Sequence, residues 1–94
     1  MNIEKVYQVA VEKYGAEEQE RMIVEECAEL IQAICKSYRA FGTVASANAQ
    51  ASIDEELADV EIMLEQAKYI YDNAKQVAEV KAHKIQRLKE RLEI

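Results

Sequence analysis

The hydrophobic residues of this chain recur at intervals of three and four positions over long stretches, which is the spacing of one face of an α-helix. No proline and only two glycines interrupt the 94 residues. Because interior proline breaks a helix and interior glycine weakens it, long helices are permitted almost everywhere. The pattern predicts an all-α chain, and at this length residues 1–94 are expected to form a single domain with a small core.

Capping signals divide the chain into four expected helices. Gly15 is a candidate left-handed C-cap for the first of them. Ser52 with Glu55, and Asn73 with Gln76, have the spacing of capping boxes that start the third and fourth. The run FGTVASANAQA at 41–51 is small and polar without clear periodicity, and we expect it to be a loop. The expected helices run approximately over Asn2–Tyr14, Ala16–Arg39, Ser52–Tyr71 and Asn73–Leu92.

The charge balance and the cysteines limit the partners and the compartment. A formal net charge of −6 argues against nucleic acid or an anionic membrane surface as the main partner. No apolar run approaches the roughly 20 residues that span a bilayer, and no signal-peptide pattern is present. Cys27 and Cys35 lie too far apart along one helix for a disulfide, so both are expected to be reduced and packed as small hydrophobes. We therefore expect a cytoplasmic protein.

Two acidic pairs fall on helix faces that should be apolar. At about 100° per residue, Glu26 projects into the apolar arc of the second helix and Glu29 onto its edge. In the third helix Glu56 projects near the centre of the apolar face, with Asp59 one turn further on. The apolar arc of the second helix comprises Met22, Ile23, Val24, Cys27, Leu30, Ile31, Ala33 and Ile34.

Such pairs need something that offsets their repulsion. Two carboxylates about 4 Å apart repel by about 4 kcal/mol at an effective dielectric constant of about 20, and burial of an unpaired charge costs more. A domain with about 5–15 kcal/mol of net stability cannot carry several such costs. The acids must share protons or hold a cation, and an all-oxygen site suits Mg²⁺ first and Mn²⁺ second. A di-iron site is disfavoured, because the only histidine, His83, has Val80 rather than an acid three residues before it.

Basic residues on the fourth helix are the other candidates for a site. Lys81 lies in the middle of its apolar seam, Lys84 flanks the seam, and Arg87 lies further round. A lysine on a seam commonly extends along its neighbours to reach water. The alternative is that these cations contact phosphate oxygens near the acidic cluster.

The order of these motifs resembles a known family. Glu25-Glu26-x-x-Glu29 followed by Glu56-x-x-Asp59 is similar to the E-E-x-x-E…E-x-x-D signature of the MazG-like all-α nucleoside triphosphate pyrophosphohydrolases. The likeness covers most of the chain except residues 41–51. It implies a four-helix MazG-like bundle that forms a homodimer or homotetramer. It also implies Mg²⁺-dependent cleavage of a nucleoside triphosphate, often a non-canonical or excess one, into the monophosphate and pyrophosphate.

The resemblance also assigns roles to residues. It implies that the metal ligands are Glu26, Glu29, Glu56 and Asp59, and that Glu25 supports catalysis or orients water. Lys84 and Arg87 match a basic stretch in the C-terminal helix, where substrate phosphates would be bound; Lys81 is added from its place on the seam.

Other functions remain open at this point. A phosphoribosyl-ATP pyrophosphatase shares the same acidic pattern, and a non-catalytic helical interaction or regulatory protein would keep the fold without the chemistry. A bundle without any ligand is disfavoured by the inward acids. The third helix is apolar over more than half of its circumference, including Ile62 and Tyr69, so a second chain is expected to cover part of it.

Overall fold

The chain forms four α-helices and, within the residues described, no strand. The structure is a computed structural model and describes residues 2–94. The all-α, four-helix prediction is confirmed. The helices are α1 (Ile3–Tyr14), α2 (Ala16–Ala40), α3 (Ser46–Tyr71) and α4 (Ala74–Leu92).

The ends of α1 follow the sequence signals closely. The Asn2 side chain caps the helix by accepting a 2.8 Å hydrogen bond from the Lys5 backbone N–H. Gly15 closes the helix, with its N–H donating to the Val11 carbonyl at 2.8 Å. Its φ of 89° is positive as expected, but its ψ of 148° takes it outside the left-handed helical region. This backbone conformation is essentially restricted to glycine. Gly15 is the single residue between α1 and α2, and its conformation allows the chain to reverse direction there.

The predicted start of the third helix is wrong. The connection after α2 covers only residues 41–45, where the Thr43 N–H donates to the Ala40 carbonyl at 2.9 Å and the Ser46 N–H donates to the Thr43 carbonyl at 3.2 Å. Ser52 lies inside α3, and its hydroxyl donates to the Asn48 carbonyl at 3.2 Å instead of capping. Every second residue from 45 to 51 is alanine, the strongest helix former. The helix propensity of this segment therefore overrides the capping signal at Ser52.

The turn between α3 and α4 is in the predicted place but is made differently. Asp72 adopts a left-handed conformation at φ 49°, and its N–H donates to the Tyr69 carbonyl at 3.3 Å. Asn73 occupies the N-cap position of α4 without a side-chain capping bond. Its side-chain oxygen is buried with no partner. The predicted Asn73–Gln76 capping box is therefore not formed.

Helices α2 and α3 form the main packing pair, and α1 packs against both. Few apolar residues are buried. None of them lies in α4, which contacts only α3. The buried apolar side chains of residues 2–94 are Val11, Ala33, Val60 and Met63.

The shape of the single chain is extended. Its radius of gyration is 16.6 Å, compared with about 12 Å for a compact chain of this length. Its accessible surface is 7497 Å², compared with about 5,500 Å² for a compact monomer of this mass. No helix in the described part of the chain combines the length and apolar character needed to cross a membrane.

Candidate functional site

Helices α2 and α3 run antiparallel and bring the two acidic pairs together. Near the start of α2, the Gln19 side chain contacts that of Gln66. Ten residues later in α2, the Glu29 carboxylate meets that of Glu56, which lies ten residues earlier in α3. The equal intervals show that the two helices stay in one register across this region.

Three carboxylates converge at this crossing. Glu26, Glu29 and Glu56 each place one carboxylate oxygen within 4.8 Å of the other two. The side chains of Glu26 and Glu56 are half-buried, whereas that of Glu29 is exposed. The Oε2 atoms of Glu26 and Glu56 are buried without a hydrogen-bond partner. Buried carboxylate oxygens are normally paired, so this group, which we call the acidic triad, has unused ligand capacity.

The proximity of the acids changes their protonation. Burial, followed by repulsion from Glu29, Asp59 and Glu56, raises the pKa of the Glu26 carboxyl from 4.5 to about 7. Burial, followed by repulsion from Glu29 and Asp59, also raises the pKa of Glu56. Without a bound cation, Glu26 therefore keeps its proton to a higher pH than an ordinary glutamate does.

No basic side chain of the described residues neutralises the triad. The salt bridges within residues 2–94 join Arg21 to Glu17 and Glu18, and Lys68 to Glu65. Three converging carboxylates with no cationic partner form the kind of all-oxygen donor set that binds hard divalent cations.

The other two acids of the sequence motif lie outside this group. Asp59 is exposed, but it lies close enough for its charge to raise the pKa of both Glu26 and Glu56. Glu25 is also exposed and does not join the acidic triad. The structure thus gathers three of the five motif acids, with a fourth beside them.

The predicted basic residues are not brought to the acidic triad within one chain. Lys81 lines a groove of about 740 Å³ between α3 and α4. That groove is bounded by Ala58 and Ile62, which point away from the Glu56 side of α3 at about 100° per residue. Lys84 and Arg87 are exposed on α4. If these cations serve the acids, they must do so from another chain.

Two features of the α2–α3 contact were not anticipated from the sequence. The first is the buried hydrogen bond between Gln19 and Gln66. The second is a hydrogen bond of 2.5 Å from the Tyr71 hydroxyl to Glu20, which raises the pKa of Tyr71. A signal for the first exists, because Gln19 lies seven residues before Glu26 and therefore on the same helix face.

The two cysteines are free, as expected, but only Cys27 is partly covered. Cys35 is exposed in the single chain, so its predicted packing as a small hydrophobe is not seen there.

Comparison with protein-family models, curated proteins and solved structures found no match for this chain.

Proposed function

We propose that this chain is a MazG-like, Mg²⁺-dependent hydrolase that cleaves nucleoside triphosphates, including non-canonical or excess ones, to the monophosphate and pyrophosphate. The observation that carries the proposal is the acidic triad, in which Glu26 and Glu29 of α2 face Glu56 of α3. Its buried oxygens lack protein partners.

The donor set fits a hard divalent cation. In the proposed site Glu26, Glu29 and Glu56 hold the ion, and Asp59 at the edge completes the set. Mg²⁺ is the first choice and Mn²⁺ the second, because both prefer oxygen ligands. Ligation by the ionised carboxylates would also offset the cost of burial and the repulsion that together raise the pKa of Glu26.

In the proposed mechanism the bound ion and the protein side chains have different roles. A bound divalent ion supplies charge neutralisation at the phosphates and a more acidic water. Glu25 comes directly before Glu26 in α2 and is exposed; in the proposed mechanism its carboxylate would orient the attacking water or accept its proton.

A second copy of the chain belongs to the proposal. The surface of one chain in excess of a compact monomer, about 2,000 Å², is larger than the about 800 Å² that each partner buries in a standard protein interface. Charge is also unevenly distributed, because α4 carries six basic and two acidic residues, whereas α2 and α3 together carry twelve acidic and four basic ones. A homodimer or homotetramer would cover the apolar faces and bring Lys81, Lys84 and Arg87 of one chain toward the acids and phosphates of another.

A panel of canonical and modified nucleoside triphosphates, assayed with Mg²⁺ and with EDTA, tests the reaction. We expect pyrophosphate and the nucleoside monophosphate in the presence of Mg²⁺ only. Release of orthophosphate would instead indicate cleavage at the γ-phosphate. Phosphoribosyl-ATP is included in the panel, since its preferential cleavage would favour the related pyrophosphatase.

The apolar surfaces also favour a second candidate, a non-catalytic interaction or regulatory protein. Exposed large apolar side chains occur on all four helices, Val24, Ile62 and Leu88 among them. Titration with Mg²⁺ separates the two candidates. A ligated acidic triad should raise the melting temperature as Mg²⁺ is added, whereas a scaffold should not respond. The two free cysteines fit a cytoplasmic location for either candidate.

A further inference from the structure

Two glutamines are the buried polar residues of the described chain. The side chains of Gln19 and Gln66 are 7% and 5% exposed. The Gln19 Nε2 donates to the Gln66 Oε1 at 2.7 Å across the α2–α3 contact. A buried amide group must be hydrogen-bonded to avoid a large desolvation cost, so each glutamine depends on the position of the other.

The glutamine pair lies on the same stripe of the contact as the acids. Gln19 precedes Glu26 by seven residues, and Gln66 follows Asp59 by seven. A spacing of seven residues returns to nearly the same side of a helix after two turns. The register that joins the two amides is therefore the register that sets Glu29 against Glu56.

The buried apolar side chains specify that register less strictly than a hydrogen bond does. Those of α2 and α3 are Ala33, Val60 and Met63; alanine is small, and methionine adapts to several packing arrangements. The carboxylates themselves oppose the observed register, because sliding or rotating one helix would separate them. Any such movement would break the Gln19–Gln66 hydrogen bond and leave two buried amides without partners.

We propose that Gln19 and Gln66 are positioning residues whose hydrogen bond fixes the register of α2 against α3 and thereby assembles the acidic triad. The effect on metal binding rests on the proposed function, whereas the effect on register does not. A single polar pair that specifies helix register within an apolar contact has a precedent in coiled coils.

The register is tested directly by the double variant Gln19→Met/Gln66→Met, which replaces both amides with apolar side chains of similar shape. Spin labels are attached at Lys36→Cys and Ala51→Cys, two exposed positions, in a background with Cys27→Ala and Cys35→Ala. Labelled chains are diluted with unlabelled ones, and distances are measured in EDTA. We expect a narrow distribution with the glutamines present and a shifted or broadened one in the double variant. An unchanged distribution would overturn the proposal.

Mg²⁺ affinity, measured by calorimetry, is the second readout. Residues that support metal ligands typically change affinity by about 10- to 100-fold, so we expect at least about 10-fold weaker binding in the double variant. The melting temperature of the double variant in EDTA should match or exceed that of the original chain. Replacing a buried polar pair with apolar side chains of similar shape typically costs no stability. The control is Gln32→Met, the same substitution at an exposed position of α2, which should leave Mg²⁺ affinity unchanged.

The outcomes separate this proposal from the proposed function. A lower melting temperature with unchanged distances and unchanged Mg²⁺ affinity would show a purely structural role and overturn the positioning role. If the original chain binds no Mg²⁺, the proposed function fails while the distance measurement still decides the register. If the double variant does not fold, the single variant Gln66→Met carries both measurements with the same criteria.

Discussion

The α2–α3 pair and α4 differ in both packing and charge. The pair contains most of the buried core and the two buried glutamines, yet it also carries a cluster of acids that repel one another. Helix α4 buries no residue, exposes Ile85, Leu88 and other apolar side chains, and has an excess of basic residues. The α2–α3 pair thus combines most of the packing with an excess of acidic residues, whereas α4 combines little packing with an excess of basic residues.

This difference indicates how stability and proposed activity are distributed. The α2–α3 pair forms the main packing contact of the chain but includes a group of acids that destabilises it in the absence of a cation. Helix α4 forms as a helix, but within one chain it gains little from packing, since most helical stability in proteins comes from burial of an apolar face. We expect the first region to respond to metal and the second to the concentration of the protein.

The largest effect is expected from Glu56→Gln, which tests the acidic side of the comparison. Removal of one proposed charged ligand should reduce Mg²⁺-dependent pyrophosphate release by at least about 100-fold. Even mutation of residues that only orient metal ligands typically lowers metal affinity or activity by about 10- to 100-fold. Circular dichroism should show an unchanged helix content. Glu61→Gln, an exposed position on another side of α3, is the matched control and should remain active. Full activity in Glu56→Gln would rule out its role as a ligand.

The next effect concerns α4 and its apolar face. Light scattering at micromolar concentration should show at least a dimer for the original chain. The double variant Ile85→Asp/Leu88→Asp should weaken self-association by at least about 100-fold, because burial of each large aliphatic side chain contributes about 1.5–3 kcal/mol. His83→Asp adds the same type of charge on the opposite side of α4 and should leave the mass unchanged. A monomeric original chain would contradict the proposed assembly.

A third effect is the pH dependence of stability, which should distinguish the acidic triad from the rest of the chain. The folded-state pKa of Glu26 is about 7, above its ordinary value of 4.5, so between these values the unfolded state binds fewer protons than the folded state. Stability in EDTA should therefore fall as pH rises from about 5 to 8. Mg²⁺ should reduce this fall, because it binds the ionised carboxylates.

Glu26→Gln serves as the control for the pH experiment. Urea unfolding should show a flatter pH dependence for this variant and greater stability than the original at pH 8, together with a weaker response to Mg²⁺. If both proteins lose stability equally between pH 5 and 8, the titration of Glu26 is not its cause.

The smallest effect is expected from Tyr71→Phe, which removes the hydrogen bond between the end of α3 and Glu20 at the start of α2. Both groups are at the surface or half-buried, so the melting temperature should fall by no more than a few degrees. The hydrogen bond raises the pKa of Tyr71, so its contribution is present below the ordinary tyrosine pKa and is lost at higher pH. Tyr38→Phe, at an exposed tyrosine without such a bond, should show no change.

Much of the fold was accessible from the sequence because local signals agreed with one another. The glycine at position 15 and the helical periodicity gave the end of α1, its start to within one residue, and the end of α4. The same periodicity placed Glu26 and Glu56 on the packing faces, and both are half-buried. Each of these properties is determined within a single helix, so the amino-acid sequence was sufficient to predict it.

The errors arose where two local signals competed. At the start of α3 a capping box at Ser52 competed with an alanine-rich segment, and the segment extended the helix back to Ser46. Asn73 had the correct position, but its side chain turned into a buried environment instead of capping α4.

Properties that depend on two helices could not be obtained from periodicity alone. Periodicity shows which side of a helix is apolar, but it does not show which side of another helix meets it. The Gln19–Gln66 hydrogen bond requires one register of α2 on α3, and the exposure of Cys35 and of α4 depends on neighbours that the sequence does not specify.

The opposition of carboxylates across α2 and α3 also has a consequence for how this sequence could change over generations. A mutation of Glu26 to an uncharged residue would relieve repulsion and make folding more favourable, so selection for a stable fold alone would favour its loss. Positions of this kind are retained only under selection for what the charges do. Under the proposed function, the acidic triad is a part of the molecule where selection for stability and selection for activity act in opposite directions.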